Sequence, residues 1–231
     1  MNIAIYDLDN TITSRATFTQ FLIFHAWEKA PYRLASLPIW ILAMIGYRVG
    51  LYGRKPLKQF GISMFIGRKI DADALAEIVS SFADKIVRKA IQPGAMSQIL
   101  VDRERGALLI LATAAPEFYA TKIGACLGFD TVIATRHFTT DDGKITNLIN
   151  GENCYAEEKL RRIESWLMRQ GIDRKDVDIR FYSDDISDSP TLDFADQGYA
   201  INPTKRFAAA AAKAHWGVLN FRSSGDIAAG H

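Results

Sequence analysis

The spacing of apolar residues changes along the chain, and each change marks a different kind of element. Residues 3–6 form an unbroken apolar run that ends in the polar stretch DLDNT, which predicts a short buried strand with carboxylates at its tip. From residue 18 to about residue 90 the apolar positions recur at helical spacing, until Pro93 and Gly94 break the pattern. Beyond that break, short apolar runs alternate with amphipathic stretches. The pattern predicts helices over 95–104, 116–127, 155–170 and 204–214. It predicts strands over 107–112, 131–134, 179–182, 199–201 and 217–219. Residues 136–150 read as two extended runs around Asp141, Asp142 and Gly143, which is hairpin turn chemistry. No internal repeat is present.

Strand and helix taking turns predicts an α/β fold: a doubly wound, mostly parallel, Rossmann-like sheet with a helical cap inserted after its first strand. The expected division is a core of residues 1–15 and 90–231 and a cap of residues 16–89. Ligands of such sheets sit at the carboxyl ends of the strands. Attention therefore falls on Asp7, Leu8 and Asp9 after the first strand, Thr113 after ALLILA, and Ser183, Asp184 and Asp185 after the strand at 179–182.

Several carboxylates at one sheet edge repel one another unless a cation compensates them. Asp7, Asp9, Asp184 and Asp188 together predict a hard divalent cation held by oxygen. Mg²⁺ suits the set, because it takes one or two carboxylates together with water and substrate phosphate. A carboxylate can also attack phosphorus and form an aspartyl-phosphate, a role open to Asp7. Asp9, two positions along, shares its face and can act as general acid or base. Thr113, with the backbone N–H groups beside it including that of Ala114, can bind phosphoryl oxygens. Lys159 can neutralise the charge that develops there.

Four segments, DLDNTIT, ATAAP, the lysine of NCYAEEKLRRI, and YSDDISDSPTL, resemble in order the four motifs of the haloacid dehalogenase superfamily of phosphatases. The resemblance spans nearly the whole chain. It implies Asp7 as nucleophile, Asp9 as acid/base, Thr113 as phosphate binder, Lys159 as the stabilising lysine, and Asp184 with Asp188 as metal-site acids. It also implies that the Asp9 carbonyl is a metal ligand, and that the insertion is similar to the cap of the phosphoserine-phosphatase-like branch. Two departures stand out. Asp185 occupies a position where the family often has glycine or serine, so it either points away or is an alternative ligand. Residues 14–24 lack the glutamate that binds the amino group of phosphoserine, which argues against free phosphoserine as substrate.

Plainer readings exist for each residue. A lone D-x-D is commonly a solvated loop tip, Thr113 can cap a helix starting near Pro116, and Lys159 sits among charges that suit an exposed i,i+4 network. Cys126 and Cys154 read as packing residues, too few for a disulfide framework, which with the absence of an export signal predicts a cytosolic setting. His25, His137 and His215 lack metal spacing, and His231 ends the chain. At 231 residues and 48% apolar composition the chain can bury one sizeable core with an insertion. Lys plus Arg number 28 against 26 Asp plus Glu, so the overall balance implies no nucleic-acid partner.

The local balance is different. Between Lys29 and Ile70 lie Arg33, Arg48, Arg54, Lys55, Lys58, Arg68 and Lys69, and no acid. Within this block residues 34–52 are almost entirely apolar or aromatic, close to the ~20 residues of a membrane span. Pro38, two glycines and Arg48 interrupt the run, and a single span would separate Asp7 from Thr113, so a crossing is rejected. Two readings remain: the core of a helical cap, or a basic apolar cap in peripheral contact with an anionic membrane. The second suggests a phospholipid headgroup phosphate, such as phosphatidylglycerophosphate, as substrate. A soluble small-metabolite phosphatase, a receiver-like module that holds a phosphoryl group without turnover, and a non-catalytic lipid-binding module are the alternatives.

Overall fold

The computed structural model describes residues 1–223, and His231 lies outside the described residues. The chain opens with β1 (Asn2–Tyr6) and then runs through α1 (Thr17–Lys29), α2 (Leu37–Arg48), α3 (Arg54–Phe65), the short β2 (Lys69–Ile70) and α4 (Ala72–Lys89). It continues as α5 (Pro93–Glu104), β3 (Leu108–Pro116), α6 (Glu117–Leu127), β4 (Thr131–Thr135), β5 (His137–Thr139) and β6 (Ile145–Ile149). The last part is α7 (Glu157–Arg169), β7 (Asp178–Ser183), α8 (Ser189–Phe194), β8 (Gln197–Ile201), α9 (Lys205–Ala214) and β9 (Gly217–Leu219).

Six strands form one sheet in the order β4-β3-β1-β7-β8-β9, and every neighbouring pair is parallel. Strands buried on both sides read as continuous apolar runs, which is why 3–6 and ALLILA show no alternation. Successive side chains nonetheless part company. Ala4, Tyr6, Leu109 and Leu111 join one hydrophobic cluster, with α5 and α6; Ile3, Ile5, Ile110 and Ala112 join another, with α7 and α9.

The first cluster continues without a break into the helices that follow β1. Phe21 of α1, Phe82 of α4 and Tyr119 of α6 meet with ring centroids 4.8 to 5.6 Å apart. At Gly61 of α3, an added Cβ would lie 2.8 Å from atoms of both Leu22 and Trp40, so only glycine lets α3 approach α1 and α2 this closely. Asp71 caps α4 by accepting from the N–H groups of Asp73 and Ala74.

The hairpin of residues 136–150 forms as β5 and β6, with Gly143 at φ 78 in its turn. Its partner is a surprise from the sequence: β2 pairs antiparallel with β6, so the inserted segment and the hairpin share a three-stranded sheet. Two residues are too short a run to show a period of two. The apolar run of 34–52 divides into a 3₁₀ turn (Pro31–Ser36) and the 12-residue α2. Among the described residues no helix is long and apolar enough to cross a membrane. Cys126 is exposed rather than packed, whereas Cys154 is buried.

Candidate active site

Strand register assembles the site. Tyr6 lies level with Leu111 of β3 and with Tyr182 of β7. Asp7 therefore leaves β1 beside Ser183, and its N–H donates to the Tyr182 carbonyl at 2.9 Å. Thr113 and Asp184 follow at the same edge, one residue further along the flanking strands.

The turn that carries Asp9, Leu8–Ile12, is irregular, with Asn10 at φ 60. It is held from behind by Gln92, a buried amide whose Nε2 donates to the carbonyls of Asn10 at 2.9 Å and Thr11 at 2.7 Å. Asn202 donates to the other end of the same amide. Asp9 itself accepts both the N–H and the hydroxyl of Thr17, each at 2.7 Å. Since the Thr17 hydroxyl is spent on Asp9, the Tyr119 hydroxyl 3.1 Å away donates to it. Asp9 is thus seated on the N-terminus of α1, where its charge is welcome, yet burial still raises its carboxyl above the ordinary range.

Lys159 is buried, with 1% of its surface exposed. Its Nζ donates to Asp7 Oδ1 at 2.8 Å and to Asp188 Oδ2 at 2.5 Å. Burial works against the ammonium, but Asp188 and Asp7 outweigh it and hold its pKa above the ordinary value. The surface network expected at this point does exist, but it joins Glu158 to Arg161 and Arg162 and bypasses Lys159. Burial pushes the Asp7 carboxyl up to about 7, with the Asp188 charge adding to it and Lys159 opposing.

Asp184 turns toward Asp7: the Thr11 hydroxyl lies 3.2 Å from Asp184 Oδ1 and 3.3 Å from Asp7 Oδ2, and receives the Asp184 N–H at 2.9 Å. Burial, followed by the Asp7 and Asp185 charges, pushes the Asp184 carboxyl up to about 8. Asp185 turns the other way. One of its oxygens accepts the Ser187 N–H and the other faces Arg54 of α3 at 3.7 Å. Asp188 Oδ2 also accepts from the Ser183 hydroxyl at 2.7 Å, whereas its buried Oδ1 has no partner.

Thr113 is buried, but not as a helix cap. Strand β3 runs on to Pro116, and the Thr113 hydroxyl accepts the Ala115 N–H at 3.1 Å within an irregular stretch of that strand. The neighbouring Ala114 carbonyl receives Lys58 Nζ at 2.5 Å and the Thr135 hydroxyl at 2.7 Å. Lys58 also donates to Asn153 Oδ1 at 2.7 Å. It comes from α3, and burial pulls its ammonium down to about 8, against the pull of Asp9.

Thr11, Thr17, Lys58, Gln92 and Asn153 were not singled out by the sequence as site residues. Thr11 had a signal, four residues beyond Asp7 in the same motif. Lys58 had none, being one cation in a basic block.

A Mg²⁺ ion suits this donor set. Two carboxylate oxygens converge on one hydroxyl, a third carboxylate keeps a buried oxygen free, and Mg²⁺ asks for one or two carboxylates with water and phosphate completing the shell. Among the described residues no group of three or more His, Cys, Asp or Glu is gathered tightly enough to be a ready-made metal cluster. Lys159 stands between Asp7 and Asp188, and phosphate and water would have to supply the remaining ligands.

Residues 4–193 match the family model of the haloacid dehalogenase-like hydrolases. The chain belongs to that family. The chain is 28% identical over 204 residues to the protein CicA of Caulobacter vibrioides, covering 85% of this chain and 84% of that one. A protein of unknown function from Bordetella pertussis Tohama I has the same fold, with a TM-score of 0.84 at 23% identity, over 95% of this chain and 98% of the other. A phospho-aspartyl intermediate analogue of phosphoserine phosphatase aligns at a TM-score of 0.60 and 15% identity, over 96% and 93% of the two chains. This haloacid dehalogenase-like hydrolase therefore places its acids at the edge where its fold predicts a ligand.

Proposed function

We propose that the chain is a Mg²⁺-dependent phosphomonoesterase that works through an aspartyl-phosphate on Asp7. The observation that carries the reading is Lys159 held between Asp7 and Asp188 in the interior. A buried cation at that point stabilises the Asp7 carboxylate before reaction and the phosphoryl oxygens after it. Asp7, Asp184 and the Asp9 carbonyl would hold Mg²⁺ with substrate phosphate, Asp188 contributing through its free oxygen. When bound, the ion supplies charge neutralisation at the transferring phosphoryl group.

In the first step an Asp7 oxygen attacks phosphorus and the bond from phosphorus to the leaving oxygen breaks. Asp9, whose raised carboxyl is suited to holding a proton, gives it to the departing alkoxide. In the second step Asp9 takes a proton from water as the water oxygen attacks the same phosphorus. Inorganic phosphate leaves and the Asp7 carboxylate is restored. Thr113 and the N–H groups around Ala114 are the proposed phosphoryl donors. Lys58 and Asn153 face the same place from the inserted segment and the hairpin side; the Asn153 amide nitrogen is buried without a partner, a donor free for a substrate oxygen. Residues 16–89 act as the cap that closes over them, and the substrate class proposed is a phosphomonoester, a lipid phosphomonoester included.

Hydrolysis of p-nitrophenyl phosphate with Mg²⁺ and with chelator, by the natural protein and by Asp7→Asn, tests the proposal. Steady Mg²⁺-dependent phosphate release that vanishes in Asp7→Asn is expected. A single stoichiometric phosphorylation without turnover would identify a receiver-like module instead.

A further inference from the structure

Helix α2 presents two unlike faces. Trp40 is buried, edge-on to Phe65 and Phe18, and Gly46 is buried with it. Away from that seam, Ile41, Leu42, Ile45 and Val49 are exposed, Leu42 to 67% and Val49 to 68%, and Leu51 just beyond the helix to 75%. Their spacing of three and four places them along one stripe. Beside the stripe a shallow groove of about 390 Å³ is lined by Ile39, Leu42, Tyr52, Leu57 and Phe60. Trp27 near the end of α1 and Tyr32 in the turn before α2 are exposed as well. Single exposed apolar residues need no explanation; a continuous stripe with its own groove does.

The inserted block that carries α2 has no acid of its own between residues 29 and 70. Of the cations in the acid-free block, Lys29 pairs with Glu77, Lys55 with Glu152, and Arg54 with Asp185. Arg48, Arg68 and Lys69 are exposed and form no ion pair among the described residues. Arg48 lies on the stripe itself, one turn from Ile45. A second copy of the chain docking by the same face would meet a patch that carries the same cation and, within residues 29–70, no acid to pair it. An anionic lipid surface answers both halves of the pattern, taking up the apolar side chains at the acyl boundary and pairing the cations with headgroups.

We propose that the outer face of α2 docks this protein onto an anionic lipid surface, its exposed apolar side chains entering the acyl boundary and Arg48 meeting the headgroups. The docking stands apart from the hydrolytic chemistry and is tested apart from it. The full chain is co-sedimented with phosphatidylcholine vesicles, with and without phosphatidylglycerol, at low and high salt. The same is done with the doubly substituted Leu42→Glu, Ile45→Glu protein, whose changes fall on exposed positions. Expected are binding that requires phosphatidylglycerol, weakens with salt, and falls by at least ~10-fold in the double variant, with unchanged circular dichroism and unchanged p-nitrophenyl phosphate turnover. Absence of vesicle binding, or binding that the double variant retains, overturns the proposal. So does a dimer in sedimentation velocity that the double variant converts to monomer, which would make the stripe a contact between copies. Turnover without vesicle binding leaves the phosphatase standing and removes the docking; vesicle binding without turnover does the reverse.

Discussion

Lys159 and Asp7 are separated by 152 positions in the chain and meet at 2.8 Å in its interior. The pair is joined by Asp188, so one ammonium serves two buried carboxylates. Lys159→Met removes the cation and leaves both acids desolvated without compensation. The expected cost is on the order of 3–5 kcal/mol of stability, read as a lowered urea midpoint, together with loss of turnover. Adding Asp188→Asn to Lys159→Met should recover stability, because it removes one of the stranded charges. A double variant less stable than Lys159→Met would contradict the account.

Lys58 donates instead to two neutral acceptors, the Ala114 carbonyl and the Asn153 amide oxygen, and its loss should act on substrate and cap together. Lys58→Met deletes two bonds from an ammonium, each worth about 1.5–3 kcal/mol when the donor is charged. The expected result is a KM raised at least ~10-fold and faster amide hydrogen exchange over α3, with exchange in β1 and β7 unchanged. Unaltered exchange in α3 would show that Lys58 does not tie that helix to the strand ends.

A second buried charge lies away from the site, beneath the same strands. Asp102, fully buried, accepts from the Tyr6 hydroxyl at 2.5 Å and pairs with Arg180 at 2.7 Å. Breaking it from one side, by Asp102→Leu or by Arg180→Met, should cost about 3–5 kcal/mol each. The double substitution should cost less than the sum, since neither partner is then left alone. Equilibrium urea unfolding of the three variants measures this, and additive costs would deny the pairing.

Acid should loosen the fold through two histidines. Burial first, then the Arg33 and Lys29 charges, lower His25 to about 4; burial and then Lys58 do the same to His137. In the unfolded chain both take up a proton near 6.5, in the folded chain only near 4. At these two groups the unfolded state therefore binds more protons between these values, so their contribution, present above pH 6.5, is lost as pH falls toward 4, while the raised Asp7 and Asp184 carboxyls act in the opposite sense. The slope should reach about 1.4 kcal/mol per pH unit for each histidine. Melting curves across that window, for the natural protein and for His25→Leu with His137→Leu, should show the acid limb flattened in the variant relative to its own neutral-pH stability.

Much of the fold was legible because its signals are local. Apolar runs without alternation marked β1 and β3 as strands covered on both faces, and the carboxylates directly after β1 and β7 fell at one edge as parallel strands require. The turn at Gly143 and the helix at α7 were equally readable. What stayed hidden had no local signal: β2, two residues long; Gln92, an ordinary amide that clamps the turn carrying Asp9; and Lys58, indistinguishable in sequence from the cations around it. The plainer reading of Thr113 as a helix cap does not hold, since the strand continues past it.

By itself the sequence determined the alternation of strands and helices beyond Pro93 and the place where the acids gather, because the period of apolar residues follows from backbone geometry and needs only near neighbours. Only the tertiary structure decided which charges lose water. Lys159 sits in a charge-rich helix yet is buried, while Arg161 beside it stays exposed. The apolar run that becomes α2 is divided the same way, Trp40 turned inward and Leu42 outward. Burial is a property of what packs against a residue from elsewhere in the chain, and that is settled by the whole fold.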